Sequence, residues 1–192
     1  MLAGGARKVI AIAASTGGVE ALEKVLARFP GSAPPIVVVL HMPPGFTKIY
    51  ATRLNGKLNI SVKEAQTGDV LKQGQALIAP AGKHMQIINN SGKVQINCFH
   101  GEKVQSVIPS ADVLFDSVAD MFRQNAIGVI LTGMGADGAR GLLKMREYGA
   151  TTIGQDKATS AIYGMPKVAK EMGSVMHELP LDQIADKVLS SI

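Results

Sequence analysis

Val9-Ile10-Ala11-Ile12-Ala13-Ala14-Ser15-Thr16-Gly17-Gly18 is the stretch whose reading decides the fold. Its first six residues form an unbroken apolar run, the signature of a parallel strand buried on both faces. A hydroxyl pair and two glycines follow. Val19, Leu22, Val25 and Leu26 then recur at helical spacing. Ser15 therefore sits where a strand turns sharply into a helix, close to the helix's unpaired N–H groups. Such a place suits a nucleophile whose product is an oxyanion. It equally suits a bound phosphate, or a serine that merely caps the helix.

Outward from this stretch the pattern repeats. Phe29-Pro30-Gly31 stops the helix, and Ile36-Val37-Val38-Val39-Leu40 forms a second buried strand that ends at His41. A loop through Pro43-Pro44-Gly45 leads to helical spacing over Phe46 to Leu54. This β-α-β-α order predicts an α/β fold, a mostly parallel, doubly wound, Rossmann-like sheet with helices on both faces. Residues 58–100 carry short strands at Ile60–Val62, Ala76–Ala79, Met85–Ile88 and Val94–Phe99, with Asn89-Asn90-Ser91-Gly92 as a hairpin turn. They are expected to form an antiparallel hairpin inserted within one domain. The α/β alternation resumes with a helix over Asp112–Gln124, the strand Ile127–Leu131 and a helix over Ala139–Tyr148. A strand at Thr151–Gly154, a helix over Gly164–Met172, a strand near Val175-Met176 and a helix from Leu181 follow.

Composition bounds the function. The 192 residues suit one domain, and a mean hydropathy of +0.18 comes with no apolar run of membrane-spanning length. One cysteine, Cys98, excludes an internal disulfide, and nothing resembles a signal peptide, so a cytoplasmic location is expected. Residues 1–7 read as linker or expression remnant, and residues 8–192 as the domain. The net charge of +5 is uneven, with 8 Lys+Arg against 3 Asp+Glu in residues 1–65 and 8 against 10 in residues 111–192. That excess has the sign to steer an acidic partner toward Ser15; a solvated lysine-rich face has the same composition. With 4% aromatics, no Trp and no Arg-rich run, the chain lacks stacking platforms for nucleic acid. No His/Cys cluster has metal-ligand spacing.

Ser15, His41 and Asp137 each follow the C-terminal end of a predicted buried strand, the edge where reactive crevices lie in open α/β sheets. A serine hydroxyl is a weak nucleophile at neutral pH; an imidazole must take its proton, and a carboxylate must orient the imidazole. The turn A-A-S-T-G is an imperfect nucleophile elbow, Ala13 standing for the first glycine of G-x-S-x-G. His84 and His100 are alternative bases, and Cys98 with His100 is a weak Cys/His pair. A rival reading exists. Gly133-Met134-Gly135-Ala136-Asp137-Gly138 is literally G-x-G-x-x-G between a strand and a helix, with Asp156 placed as a ribose-binding acid. That would make the chain a non-catalytic nucleotide- or phosphate-binding module, although Asp137 would repel a pyrophosphate.

Five blocks resolve the choice by resemblance: A-S-T-G-G (14–18), H-M-P-P-G-F-T (41–47), I-A-P-A-G-K-H (78–84), L-T-G-M-G-A-D-G-A (131–139) and Y-G-M-P (163–166). Across residues 8–190 the chain resembles the catalytic domain of the chemotaxis protein-glutamate methylesterase family. The resemblance implies hydrolysis of glutamate γ-methyl esters on the cytoplasmic helices of chemoreceptors, with release of methanol. Deamidation of receptor glutamines is a related activity in the family. It implies Ser15 as nucleophile, His41 as base and Asp137 as orienting carboxylate, with Thr16 and Met134 supplying oxyanion donors and substrate lining. It implies no cofactor, no metal, no membrane insertion and a place in chemoreceptor arrays. The family carries glycine at Ala13, a departure small enough to leave activity expected. It also carries an N-terminal receiver domain, so a full-length parent with one is implied; without it this chain is expected to escape phosphorylation control.

Overall fold

The computed structural model describes residues 8–192; the segment read as linker, residues 1–7, lies outside the described residues. The order is β1 (Val9–Ala14), α1 (Gly18–Leu26), β2 (Ile36–Leu40), α2 (Phe46–Asn55), β3 (Ser61–Glu64), β4 (Gln75–Ile78), β5 (His84–Asn90), β6 (Lys93–Phe99) and α3 (Ala111–Phe122). After a short 3₁₀ turn at Arg123–Asn125 come β7 (Ala126–Ile130), α4 (Ala139–Glu147), β8 (Thr151–Gln155), α5 (Met165–Glu171), β9 (His177–Leu179) and α6 (Leu181–Ser190).

Seven strands form one parallel sheet in the order β3-β4-β2-β1-β7-β8-β9, and β5 and β6 pair antiparallel as a separate ribbon. The chain first extends the sheet from β1 toward β2 and later returns to the other side of β1 to place β7. Its direction of growth thus reverses beside β1, the position where open α/β sheets hold their ligands. The continuous apolar run of β1 is explained by its neighbours, since alternate residues face opposite layers. Val9, Ala11 and Ala13 pack with α3, α4 and the ribbon, whereas Ile10, Ile12 and Ala14 pack with α1, α2 and α6.

Three expectations need correction. Only two of the four strands in residues 58–100 form the inserted hairpin; β3 and β4 extend the parallel sheet. Both have four residues, and β3 buries only Val62 fully because it lies at the sheet edge, so their pattern resembles ribbon strands. The last strand begins at His177, immediately after the apolar pair Val175-Met176, because Val175 packs against Gly154 instead of pairing. The α3 helix ends at Phe122 and tightens into the 3₁₀ turn before reaching Gln124.

One connection is conformationally costly. Val104 and Val107 exchange backbone hydrogen bonds of 3.1 and 3.0 Å, enclosing Gln105 (φ 53°) and Ser106 (φ 66°). Two successive residues with positive φ are the mark of a type I′ turn, which favours Asn-Gly. Gln and Ser occupy left-handed backbone at roughly 1 kcal/mol each.

Candidate active site

Three adjacent strands bring the predicted residues to one edge. The β1–β2 pairing runs on one step as the His41 amide donates to the Ala14 carbonyl at 3.1 Å, so His41 lies beside Ser15. On the other side the Ser15 amide donates to the Thr132 carbonyl at 3.0 Å, which sets Ser15 against the loop after β7. That loop is close-packed on the serine. A Cβ at Gly133 would stand 2.7 Å from the Ser15 Cβ and 3.1 Å from its amide nitrogen. Gly17, at φ +78°, makes the strand-to-helix turn where an added Cβ would meet the Ala161 Cβ at 2.6 Å.

His41 Nε2 lies 2.9 Å from Asp137 Oδ2. With Nε2 donating to a carboxylate, the neutral imidazole carries its lone pair on Nδ1. The His41 side chain is 14% exposed and that of Asp137 only 3%, so the imidazole meets solvent while the carboxylate does not.

Asp137 is held by more than the histidine. Ser110 Oγ donates to Oδ1 at 2.6 Å, the Ala111 amide to Oδ2 at 2.6 Å, and the Asp112 amide to Oδ1 at 3.2 Å. These amides open α3, so Asp137 caps that helix from another part of the chain, where a negative charge is favoured. Burial pushes the carboxyl up, but the bonds from His41, Ser110, Ala111 and Asp112 outweigh it and hold Asp137 below its ordinary value. It is the ionised state that a triad requires.

Sequence reasoning missed the residues supporting this arrangement. Ser110 is fully buried, and its amide donates to His84 Nδ1 at 3.1 Å while His84 Nε2 bonds the Glu102 carbonyl at 2.8 Å. Both ring nitrogens of His84 are thus engaged, which corrects its reading as an alternative base. His100 is exposed at the end of β6. Burial, then the nearby Asp69, pushes the Cys98 thiol up to about 11, so this cysteine is a packing residue with little thiolate. Thr132 Oγ1 donates to the Thr16 carbonyl at 3.0 Å and accepts from the Ile162 amide at 2.9 Å, steadying the serine turn. The Gly133 carbonyl accepts from the Gly164 and Met165 amides, which explains the Y-G-M-P block. Nothing in the local sequence of Ser110, His84 or Thr132 announces these roles, because every partner is distant along the chain.

The backbone N–H groups of Thr16 and Met134 have no acceptor among the described residues. The Met134 side chain is 69% exposed at the mouth of the site. The glycines of G-x-G-x-x-G serve local purposes: Gly133 admits Ser15, and Gly138, at φ +88°, begins α4 against Ala111. Asp156, the candidate ribose acid, instead bonds the Thr159 amide and hydroxyl at 2.9 and 2.6 Å.

Residues 10–188 match the family model described as CheB methylesterase. The chain belongs to the CheB methylesterase family. Among its relatives, the protein-glutamate methylesterase/protein-glutamine glutaminase 2 of Syntrophomonas wolfei is 51% identical over 184 residues, 96% of this chain and 54% of that protein. The protein-glutamate methylesterase/protein-glutamine glutaminase of Agrobacterium fabrum is 52% identical, covering 95% of this chain and 52% of the relative. The chain therefore spans about half the length of these curated relatives. The Thermotoga maritima CheB methylesterase catalytic domain has the same fold, with TM-score 0.93 and 40% identity over 96% of this chain and 98% of that one. Among the described residues of this CheB chain, no helix is long and apolar enough to cross a membrane.

Asp112 is a second buried carboxylate in the CheB site region, beside Asp137. Its Oδ1 accepts from the Gly141 amide at 2.7 Å, whereas Oδ2 has no hydrogen-bond partner. Burial first, and Asp137 among the charges, raises its affinity for a proton. A carboxyl raised in the folded state contributes stability below its unfolded value and loses it as pH rises through the folded value. Asp112→Asn, which removes the buried charge beside Asp137, is therefore expected to stabilise the protein by roughly 1 kcal/mol at pH 7. The gain should shrink as pH falls and the wild-type carboxyl protonates. Thermal melts of both proteins between pH 4 and 8 check this; a variant less stable than wild type at pH 7 contradicts it.

Proposed function

We propose that this chain is a serine hydrolase that removes methyl groups from glutamate γ-methyl esters of chemoreceptors, releasing methanol. The observation that carries the reading is the His41–Asp137 pair at 2.9 Å, set beside Ser15 on adjoining strand ends. The names of the relatives support it, and they extend the proposal to deamidation of receptor glutamines.

Ser15 Oγ attacks the ester carbonyl while His41 Nδ1 takes its proton, and Asp137 stabilises the imidazolium. The free N–H groups of Thr16 and Met134 receive the oxyanion of the tetrahedral intermediate. Collapse breaks the bond to methoxide, which leaves as methanol with the proton from His41. Water, with His41 again as base, then hydrolyses the glutamyl–Ser15 ester. A glutamine side chain would release ammonia by the same sequence.

Residues 8–192 are the catalytic domain in this reading, with a receiver domain in a full-length parent and chemoreceptor cytoplasmic helices as substrate. The site of action is the cytoplasmic receptor array. The test is methanol release from methylated chemoreceptor membranes, with a thermal-melt titration of NAD, NADP and ATP beside it. Methanol release without a nucleotide shift is expected. A ligand at 100 times its Kd would stabilise by about 2.7 kcal/mol, and such a shift without methanol would favour the binding module.

The packing of Gly133 on Ser15 makes a further prediction. In Gly133→Ala the added methyl would press on Ser15 and on Met165 Sδ and displace the nucleophile. Misplacement on the order of 1 Å costs about 100-fold in rate. The expected result is a kcat lowered roughly 100-fold in a protein with unchanged circular dichroism. A wild-type rate on a small ester would show that the turn absorbs the methyl.

A further inference from the structure

A groove of about 340 Å³ opens beside His41, between the loop after β2 and the loop that joins β6 to α3. We infer that this groove is a subsite for a carboxylate-bearing side chain next to the scissile ester, and that Lys103 is the residue that reads it. The inference rests on the methylesterase reading and adds to it which neighbours of the esterified glutamate the enzyme prefers.

The lining has the required chemistry. Among the described residues that line it, Met42, Pro44, Val107 and Ile108 supply apolar walls, Ser106 a hydroxyl, and Lys103 the only permanent charge. No lining residue is acidic, and Lys103 has no carboxylate within ion-pair distance among the described residues. Lys57, Lys63, Lys144, Lys167 and Lys170 each face an acid, and Lys103, among the lysines left without one, is the one that lines this groove. An uncompensated ammonium at the edge of an apolar groove attracts an anion whose stem is aliphatic, and an aspartate or glutamate side chain fits that description.

The loop that presents Lys103 is fixed to the catalytic residues at both ends. Buried His84 bonds the Glu102 carbonyl at 2.8 Å and accepts from the Ser110 amide at 3.1 Å. Ser110 in turn bonds Asp137. Between these ties the Val104–Val107 turn holds Gln105 and Ser106 in left-handed backbone. Backbone held in sparsely populated regions clusters at ligand-binding sites, where the surroundings must over-determine it. On a helical substrate, residues three or four apart lie about 5–6 Å from one another. An acid one turn from the esterified glutamate is therefore the natural occupant of a groove adjoining His41.

The test measures kcat/KM on methylated receptor membranes and on a small uncharged ester, for wild type, Lys103→Ala and Lys103→Glu. The ratio of receptor to small-ester kcat/KM is expected to fall about threefold for Lys103→Ala and about tenfold for Lys103→Glu. The loss should lie in KM and should lessen as salt screens the charge. An unchanged ratio, including one produced by an equal fall on both substrates, overturns the subsite. Small-ester hydrolysis by wild type without methanol from receptors overturns the methylesterase reading, and the subsite with it.

Discussion

Ser15→Ala is expected to abolish methanol release from methylated receptors while leaving a folded protein. Removal of a triad nucleophile lowers kcat by about 10³–10⁶, and the residual rate comes from oxyanion binding and orientation. The structure favours an uncomplicated result. The Ser15 side chain makes no hydrogen bond to another described residue, and its structural ties are the backbone bonds to Thr132 and Gly18, which alanine retains. The thermal midpoint should therefore stay within about 2 °C of wild type. Side-by-side assays of methanol release and melting decide the matter. A variant with a tenth or more of the wild-type rate would remove Ser15 from the mechanism. A variant that lost activity together with its cooperative melt would leave Ser15 a structural residue instead.

Asp137→Ala should show the opposite combination, a large loss of both activity and stability. Without the carboxylate the His41 ring loses its orienting partner, and kcat is expected to fall by about 10⁴. The same change leaves the Ser110 hydroxyl and the Ala111 and Asp112 amides without their acceptor in a buried place. Breaking such a network costs about 3–5 kcal/mol, a large share of the 5–15 kcal/mol typical of a domain. A fall of roughly 10 °C in thermal midpoint follows from the 2–4 °C per kcal/mol of domains this size. The pH dependence has a definite sign. Asp137 is held below its ordinary value, so its stabilisation is present above the unfolded carboxylate value and is lost as pH falls through the folded one. The gap in stability between wild type and Asp137→Ala should thus narrow in acid. A variant as stable as wild type at pH 7 would mean that α3 finds another cap.

The central fold was legible because its signals were local. Continuous apolar runs identified β1 and β2, and the abrupt change to helical spacing identified the turn at Ser15. The placement of Ser15, His41 and Asp137 at strand ends followed from that pattern, and the roles proposed for them rest on the resemblance of five motif blocks. The sheet edge was not legible, since β3 and β4 are too short and β3 too exposed to resemble buried parallel strands. The supporting residues were hidden for a different reason. The partners Ser110 and Asp137 lie 27 positions apart, and Thr132 and Thr16 lie 116 apart. A buried polar residue can be found from sequence, but its acceptor cannot until the fold has brought the two together.

The attachment of Asp137 to the start of α3 carries a practical consequence. The helix that covers one face of the sheet docks at its full stability only with the carboxylate that bonds His41 in place. Misfolded or partly opened molecules should accordingly be catalytically silent, with no intermediate class of intact helices and a disordered triad. Covalent labelling of the serine by an organophosphate would then count native molecules directly. The stoichiometry of that labelling along a denaturant series should trace the same curve as the loss of helical signal.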